Sequence, residues 1–72
     1  MSLGSDLIML RQQKDLIRKD AAKAIGISVT TLRKFEHDMY DNTPNFVMLF
    51  KITNFYGVSA LKLLDGVIAP LD

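Results

Sequence analysis

The chain of 72 residues has room for one compact domain. Although 49% of its residues are hydrophobic, no apolar stretch approaches the ~20 residues that a membrane-spanning helix needs. Cysteine is absent and His37 is the single histidine, which excludes disulfides and a His/Cys metal set. The formal net charge is only +1, but residues 1–34 hold seven basic and three acidic side chains, whereas residues 35–72 hold two basic and five acidic ones. We therefore expect a polyanion to bind the N-terminal half.

The first half of the chain predicts three short helices. Ser5 is a candidate N-cap for the first, and Gly26 ends the second because glycine adopts left-handed dihedrals at least cost. Ser28 is a candidate N-cap for the third. The predicted ranges are 6–14, 18–25 and 29 to 35 or 36. Residues 1–4 lack the basic and apolar runs of a secretory signal, and we set them aside from the functional prediction.

The second half predicts two further helices. Thr43 is a candidate N-cap followed by Pro44 at the first helical position, and this helix continues to Tyr56. Ser59 is a candidate N-cap for a last helix over 60–64. We therefore expect an all-α fold, a compact bundle of five short helices. It forms a single domain over residues 1–72, with a core from about 5 to 66 and a tail at 67–72.

The most informative spacing is Ala22-x3-Gly26-x5-Leu32. A small side chain at Ala22 allows two helices to approach, Gly26 makes a tight turn, and Leu32 anchors the following helix in the core. The remaining inward positions are also small or apolar: Ala21, Ile25, Ile27 and Phe35. This pattern predicts a helix-turn-helix, with a helical hairpin that only packs as the alternative.

Several segments make the chain resemble the Cro/repressor-type (XRE-like) helix-turn-helix family. They are Leu10-Arg11, Ala22-x3-Gly26-Ile27-Ser28, Leu32-x3-Glu36, and Pro44 through Leu64 with its Gly57-Val58-Ser59. The resemblance implies a lambda-repressor-like DNA-binding domain in which Arg11 and Glu36 pair as structural residues. Ile17 and Arg18 depart from the family's usual Ser or Thr followed by Gln. The family also tends to place glycine two residues after the Glu, where this chain has Asp38, so the loop shape there stays open.

By motif position, the third helix of such a domain presents five side chains to DNA bases. They are Ser28, Val29, Thr30, Arg33 and Lys34. Arg18 and Lys19, at the start of the second helix, would face the phosphate backbone. The alternative is that all of these form an ordinary solvated helix face.

The fourth predicted helix is apolar around most of its circumference. A helical wheel turns five side chains toward the core: Phe46, Leu49, Phe50, Thr53 and Tyr56. A further stripe of Met48, Ile52 and Phe55, extended by Val47, is a candidate protein interface, for a homodimer or another partner. Alternatively, the last helix and the tail, through Val67, Ile68 and Leu71, fold back over this stripe.

The chain is similar to phage Cro proteins in its compact size and the absence of an effector domain. This resemblance implies a small transcriptional regulator in a phage-type genetic switch, binding operator DNA as a symmetric dimer. The alternative is an antirepressor that binds a companion phage repressor protein and blocks its DNA binding, as in phage modulators of repression. We expect no enzyme activity, cofactor, metal, membrane partner or small-molecule substrate, and a cytoplasmic location in a bacterial host cell. His37, between Glu36 and Asp38, is expected to be a surface imidazole.

Overall fold

The computed structural model describes residues 2–40 and 44–71. The five helices are α1 (Leu3–Gln13), α2 (Arg18–Ile25), α3 (Val29–Glu36), α4 (Phe46–Tyr56) and α5 (Ala60–Leu64). Within the described residues, β-structure is limited to one isolated antiparallel bridge between Val58 and Pro70. The all-helical prediction is therefore confirmed. None of the helices in this part of the chain is long and apolar enough to cross a membrane.

Helix α1 begins three residues earlier than the sequence suggested. Ser2, not Ser5, is the N-cap: its hydroxyl accepts from the Ser5 N–H, and the Ser5 hydroxyl accepts from the Ser2 N–H at 2.9 Å. The prediction of Ser5 was therefore wrong, and capping preference could not have corrected it, because both serines are good capping residues. Burial of Leu3 and Gly4 decides between them, and the core therefore starts before residue 5.

The connection between α2 and α3 forms as predicted. Gly26 ends α2 with φ of 90°, and its N–H donates to the Ala22 carbonyl at 2.9 Å. Ser28 begins α3, because its hydroxyl accepts from the Thr31 N–H at 3.0 Å. The start of α2 has no such cap, since Ile17 offers no side-chain hydrogen bond.

Helix α4 begins at a different cap from the predicted one. Asn45 is the N-cap, with its side-chain oxygen accepting from the Met48 N–H at 3.2 Å. Pro44 precedes the helix instead of occupying its first turn. The predicted cap Thr43 lies outside the described residues. Ser59 caps α5 as expected.

The core is formed by all five helices. Helix α1 contacts α3 and α5, α2 contacts α3 and α4, and α4 contacts α5. The buried apolar residues are Leu3, Leu7, Leu10, Ala21, Ala22, Leu32, Phe35, Leu49, Ile52, Tyr56, Val58, Ala60 and Leu63. This arrangement leaves the outer faces of α2 and α3 exposed beside each other.

The rotation of α4 differs from the helical-wheel prediction. Phe46 and Phe50, expected in the core, are 42% and 43% exposed. Ile52, expected on a protein interface, is completely buried. A helix that is apolar on most sides gives a weak periodic signal, so its neighbours decide which face is buried. Because α4 contacts both α2 and α5, the buried face is wider than one stripe.

The C-terminal tail returns to the connection between α4 and α5. The Ser59 N–H donates to the Ala69 carbonyl at 2.9 Å, and the Leu71 N–H donates to the Gly57 carbonyl at 3.1 Å. The side chains expected to cover the stripe on α4 all remain exposed: Val67, Ile68 and Leu71. The tail is therefore held by backbone hydrogen bonds, without burying its apolar side chains.

Candidate nucleic-acid interface

The three residues of the Ala22-x3-Gly26-x5-Leu32 spacing have the positions that their sizes suggested. Ala22 is buried where α2 packs on α3, and Leu32 is completely buried. Gly26 has left-handed dihedrals that a residue with a Cβ adopts only at a cost. Two helices joined by this turn form the helix-turn-helix, and they orient α3 with one face outward.

The outward face of α3 carries most of the side chains predicted to contact DNA. Those of Ser28, Val29, Thr30, Arg33 and Lys34 are exposed, and Lys19 is exposed at the start of α2. The Ser28 hydroxyl is already engaged, since it accepts from the Thr31 N–H and donates to the Thr31 Oγ1 at 2.8 Å. This leaves Thr30, Arg33 and Lys34 as the polar groups that face solvent from α3.

Arg18 forms an ion pair with Glu36 that the sequence did not indicate. Its Nε donates to Oε1 of Glu36 at 2.8 Å, and the Glu36 side chain has no solvent exposure. The Arg18 side chain keeps 30% of its surface exposed. Arg18 is therefore only partly available for DNA, in contrast to the free surface cation that we expected. Spacing along the chain gives no signal for this pair, because the two residues lie on different helices.

The expected pairing of Arg11 with Glu36 is present. Arg11 Nε donates to Glu36 Oε2 at 2.8 Å, and Arg11 Nη2 lies 3.3 Å from Oε1. Arg11 Nη1 also donates to the Leu16 carbonyl at 2.9 Å, in the segment between α1 and α2. One buried carboxylate thus joins α1, α2 and α3, and it fixes the orientation of the helix-turn-helix relative to the core.

The loop after α3 contains Asp38 where the family tends to have glycine. Asp38 has φ of +55°, the left-handed conformation that glycine adopts most readily, and Asp tolerates it better than most residues. Its Oδ1 accepts from the Gly4 N–H at 2.8 Å and from the Tyr40 hydroxyl at 3.4 Å. Burial, followed by the Asp38 charge and hydrogen bond, raises the pKa of Tyr40 above 10. Asp38 therefore forms this turn in place of the family's glycine.

A cavity of about 130 Å³ lies between the end of α3 and the start of α4. It is lined by Thr31, Lys34, Phe35, Met39, Tyr40 and Asn45. Lys34 therefore borders this cavity as well as the exposed face of α3. The Phe35 and Tyr40 rings, with centroids 6.1 Å apart, form its aromatic wall.

The residues predicted as a protein interface do not form one surface. Ile52 is in the core, Met48 and Phe55 are partly buried against it, and Val47 is 66% exposed. Lys14 Nζ lies 5.6 Å from the centroid of the Phe55 ring, so α1 partly covers that residue. The exposed apolar residues of α4 are instead Phe46, Val47 and Phe50, which we call the α4 surface.

The described residues contain no group of three or more His, Asp or Glu side chains that could hold a metal ion. In comparisons with known proteins, a family model described as helix-turn-helix matches residues 7–63, which is more than half of the chain. The match covers all of α2, α3 and α4. A comparison with curated proteins gives no match.

Proposed function

The chain belongs to the helix-turn-helix family of Cro/XRE type, and from this premise we propose that it regulates transcription by inserting α3 into the major groove of operator DNA. The observation that carries the proposal is the exposure of Thr30 and Arg33 on an α3 that is fixed by its buried face. Helices held in this way read bases with the side chains of their exposed face.

Each exposed residue of α3 fits a distinct role at a base edge or phosphate. The Arg33 guanidinium suits a guanine, whose O6 and N7 accept two hydrogen bonds side by side. Val29 and the Thr30 methyl group suit the methyl group of thymine. Lys34 suits either a base or a phosphate, and Lys19 suits a phosphate beside the start of α2. We assign base recognition to α3 and backbone contact to the start of α2.

The finer proposal is an operator regulator in a phage-type genetic switch, bound to two half-sites as a symmetric dimer. A single helix reads only a few base pairs, so two copies related by two-fold symmetry are the usual way to reach useful specificity. The low net charge of +1 gives only weak sequence-independent attraction to phosphates, which by itself favours a protein partner over DNA. Specificity then depends on base contacts and on the second copy.

Selection from a pool of random-sequence duplexes tests the proposal. We expect the protein to enrich a short site with two-fold symmetry. Arg33→Ala should relax the preference at one position of each half-site, at a cost of about 1–3 kcal/mol in binding. Lys62→Ala, which removes an exposed cation from α5, is the matched control and should retain the preference. Failure of the wild-type protein to enrich any sequence would count against operator recognition.

Exposed apolar side chains before α2 and on α4 support a second candidate function. Ile17 is 61% exposed at the start of α2, where the family has a polar cap, and the α4 surface adds three exposed apolar residues. Exposed apolar groups favour contact with a protein. The candidate is an antirepressor that binds a companion phage repressor and keeps it from its operators.

A gel-shift experiment with a companion repressor on its operator separates the two functions. An antirepressor releases the bound repressor and gives no shift of its own. Val47→Lys should then weaken the release, because it places a charge on an exposed apolar position. Lys51→Ala, at an exposed polar position of the same helix, should have no effect. A direct shift that leaves the repressor bound would rule out the antirepressor role.

A further inference from the structure

Two arginine side chains donate to Glu36, whereas the family resemblance implies a pair with Arg11 alone. The two oxygens of Glu36 accept from Arg11 Nε at 2.8 Å and from Arg18 Nε at 2.8 Å, with a longer contact from Arg11 Nη2. One carboxylate and two guanidinium groups leave the cluster with one unbalanced positive charge. Arg11 and Glu36 are largely removed from solvent, whereas Arg18 is partly exposed, so the unbalanced charge reaches the surface at Arg18.

Arg18 lies at a helix end where a cation needs a compensating partner. Arg18 is the first residue of α2, where the helix dipole is positive and a cation is normally unfavourable. Glu36 offsets this cost in the free protein. The first N–H groups of α2 also have no side-chain cap from Ile17. The partly exposed positive charge of Arg18 therefore lies at the positive end of a helix that has no side-chain cap, which suits an anion.

We propose that Glu36 is a positioning residue that aims Arg18 at a phosphate of the DNA backbone. The inference rests on the proposed DNA-binding function and deepens it. Because a guanidinium group is planar, the bond from Nε to Glu36 also fixes the direction of both Nη groups. These Nη groups form the fork that binds two oxygens of one phosphate. Arg18 is therefore oriented before DNA binds, whereas Lys19 beside it is an exposed cation.

Replacing Arg18 with lysine separates the contribution of its charge to DNA binding from the contribution of its orientation. Arg18→Lys keeps the positive charge but removes the Nε donor and the planar fork. Arg18→Gln removes the charge as well. Lys23→Arg is the matched control, because it changes an exposed cation on the same helix, outside the proposed contacts, while keeping its charge. The probe is a mixed-sequence duplex of about 20 bp, roughly two helical turns, since a phosphate contact is independent of sequence. Circular dichroism identifies a temperature at which all variants are folded.

We expect Arg18→Lys to weaken binding about tenfold at fixed salt, since it loses a hydrogen bond between charged groups. The dependence of log K on log salt should keep the wild-type slope. Arg18→Gln should weaken binding at least as much and reduce the slope by about 0.9, the value of one phosphate contact. Lys23→Arg should stay close to wild type. Equal affinity of Arg18→Lys and wild type would overturn the positioning role, because charge alone would then suffice.

A spectroscopic measurement tests the same inference without depending on affinity. In the free wild-type protein, the Arg18 Nε–H should exchange slowly with solvent by NMR, and Glu36→Gln should accelerate this exchange. Addition of the duplex should shift the Arg18 Nη signals and leave the Nε–H protected. Loss of Nε–H protection on DNA binding would overturn the inference while leaving DNA binding itself intact. A wild-type protein that binds neither this duplex nor any sequence from the random pool would instead contradict the proposed function and this inference with it.

Discussion

The Gly4 N–H donates a hydrogen bond to Asp38 Oδ1 at 2.8 Å, so the loop after α3 caps the first turn of α1. The carboxylate satisfies a backbone donor that α1 cannot satisfy itself, and its negative charge is favourable at the positive end of the helix dipole. This bond connects the beginning of the domain to the end of the helix that is proposed to read DNA.

Variants of Asp38 should separate the conformation of this loop from its hydrogen bond. Asp38→Asn keeps an acceptor oxygen and tolerates φ of +55°, so it should change the free energy of unfolding by less than about 1 kcal/mol. Asp38→Ala loses the acceptor and also the short polar side chain that makes a left-handed conformation tolerable, which should cost about 2 kcal/mol. Urea unfolding measures both. Equal stabilities of the Ala and Asn variants would show that the bond to Gly4 contributes nothing.

Gly4 should not tolerate any side chain. A Cβ at this position would lie 2.7 Å from the Glu36 carbonyl carbon and 2.8 Å from the Phe35 carbonyl oxygen, which are backbone atoms that cannot rotate away. Gly4→Ala should therefore destabilise the domain by about 1–3 kcal/mol, despite the higher helix propensity of alanine. Thermal unfolding measures the change, with Gln12→Ala at an exposed position of α1 as control. A more stable Gly4→Ala would contradict the close approach of α1 and α3.

Two apolar residues of α4 should lose different amounts of stability on truncation, because one is buried and the other is partly exposed. Ile52→Ala removes a completely buried side chain and should cost about 2–5 kcal/mol of unfolding free energy. Phe50→Ala, at a position 43% exposed, should cost clearly less. Denaturant unfolding of both variants is the measurement. A larger loss for Phe50→Ala would restore the helical-wheel orientation that the structure contradicts.

Tyr56 should make the domain sensitive to alkaline pH. Burial and then the Glu36 charge raise the pKa of Tyr56 from 10.0 to about 12, against an opposing effect of Arg11. The fold thus favours the neutral phenol. This contribution to stability is complete below about pH 10 and is lost as the pH rises through about 12.

Replacement of this tyrosine by phenylalanine checks both its titration and its packing. The buried Tyr56 hydroxyl has no hydrogen-bond partner among the described residues. Tyr56→Phe should therefore be neutral or stabilising by about 1 kcal/mol near pH 7, and should flatten the loss of stability between pH 10 and 12. Tyr40→Phe is the comparison for the effect near pH 7, since the Tyr40 hydroxyl bonds to Asp38 and its removal should not stabilise the domain. A Tyr56→Phe variant with an unchanged alkaline profile would contradict this account.

Much of the candidate site was predictable because its signals are local. Gly26 and Ser28 define the turn through dihedral preference and capping, which depend on a few neighbouring residues. The spacing from Ala22 to Leu32 then places α3 on the core. The exposure of Arg33 follows from the same helical period.

The sequence by itself determined the helical class, the turn between α2 and α3, and the pairing of Arg11 with Glu36 through its resemblance to a known family. Only the tertiary structure decided the rotation of α4, the inclusion of Leu3 and Gly4 in the core, and the bond from Arg18 to Glu36. The physical reason is the range of the interactions. Caps and turns depend on residues within one helical turn, whereas the burial of an apolar helix face and the partner of a charge depend on which distant segments pack beside them.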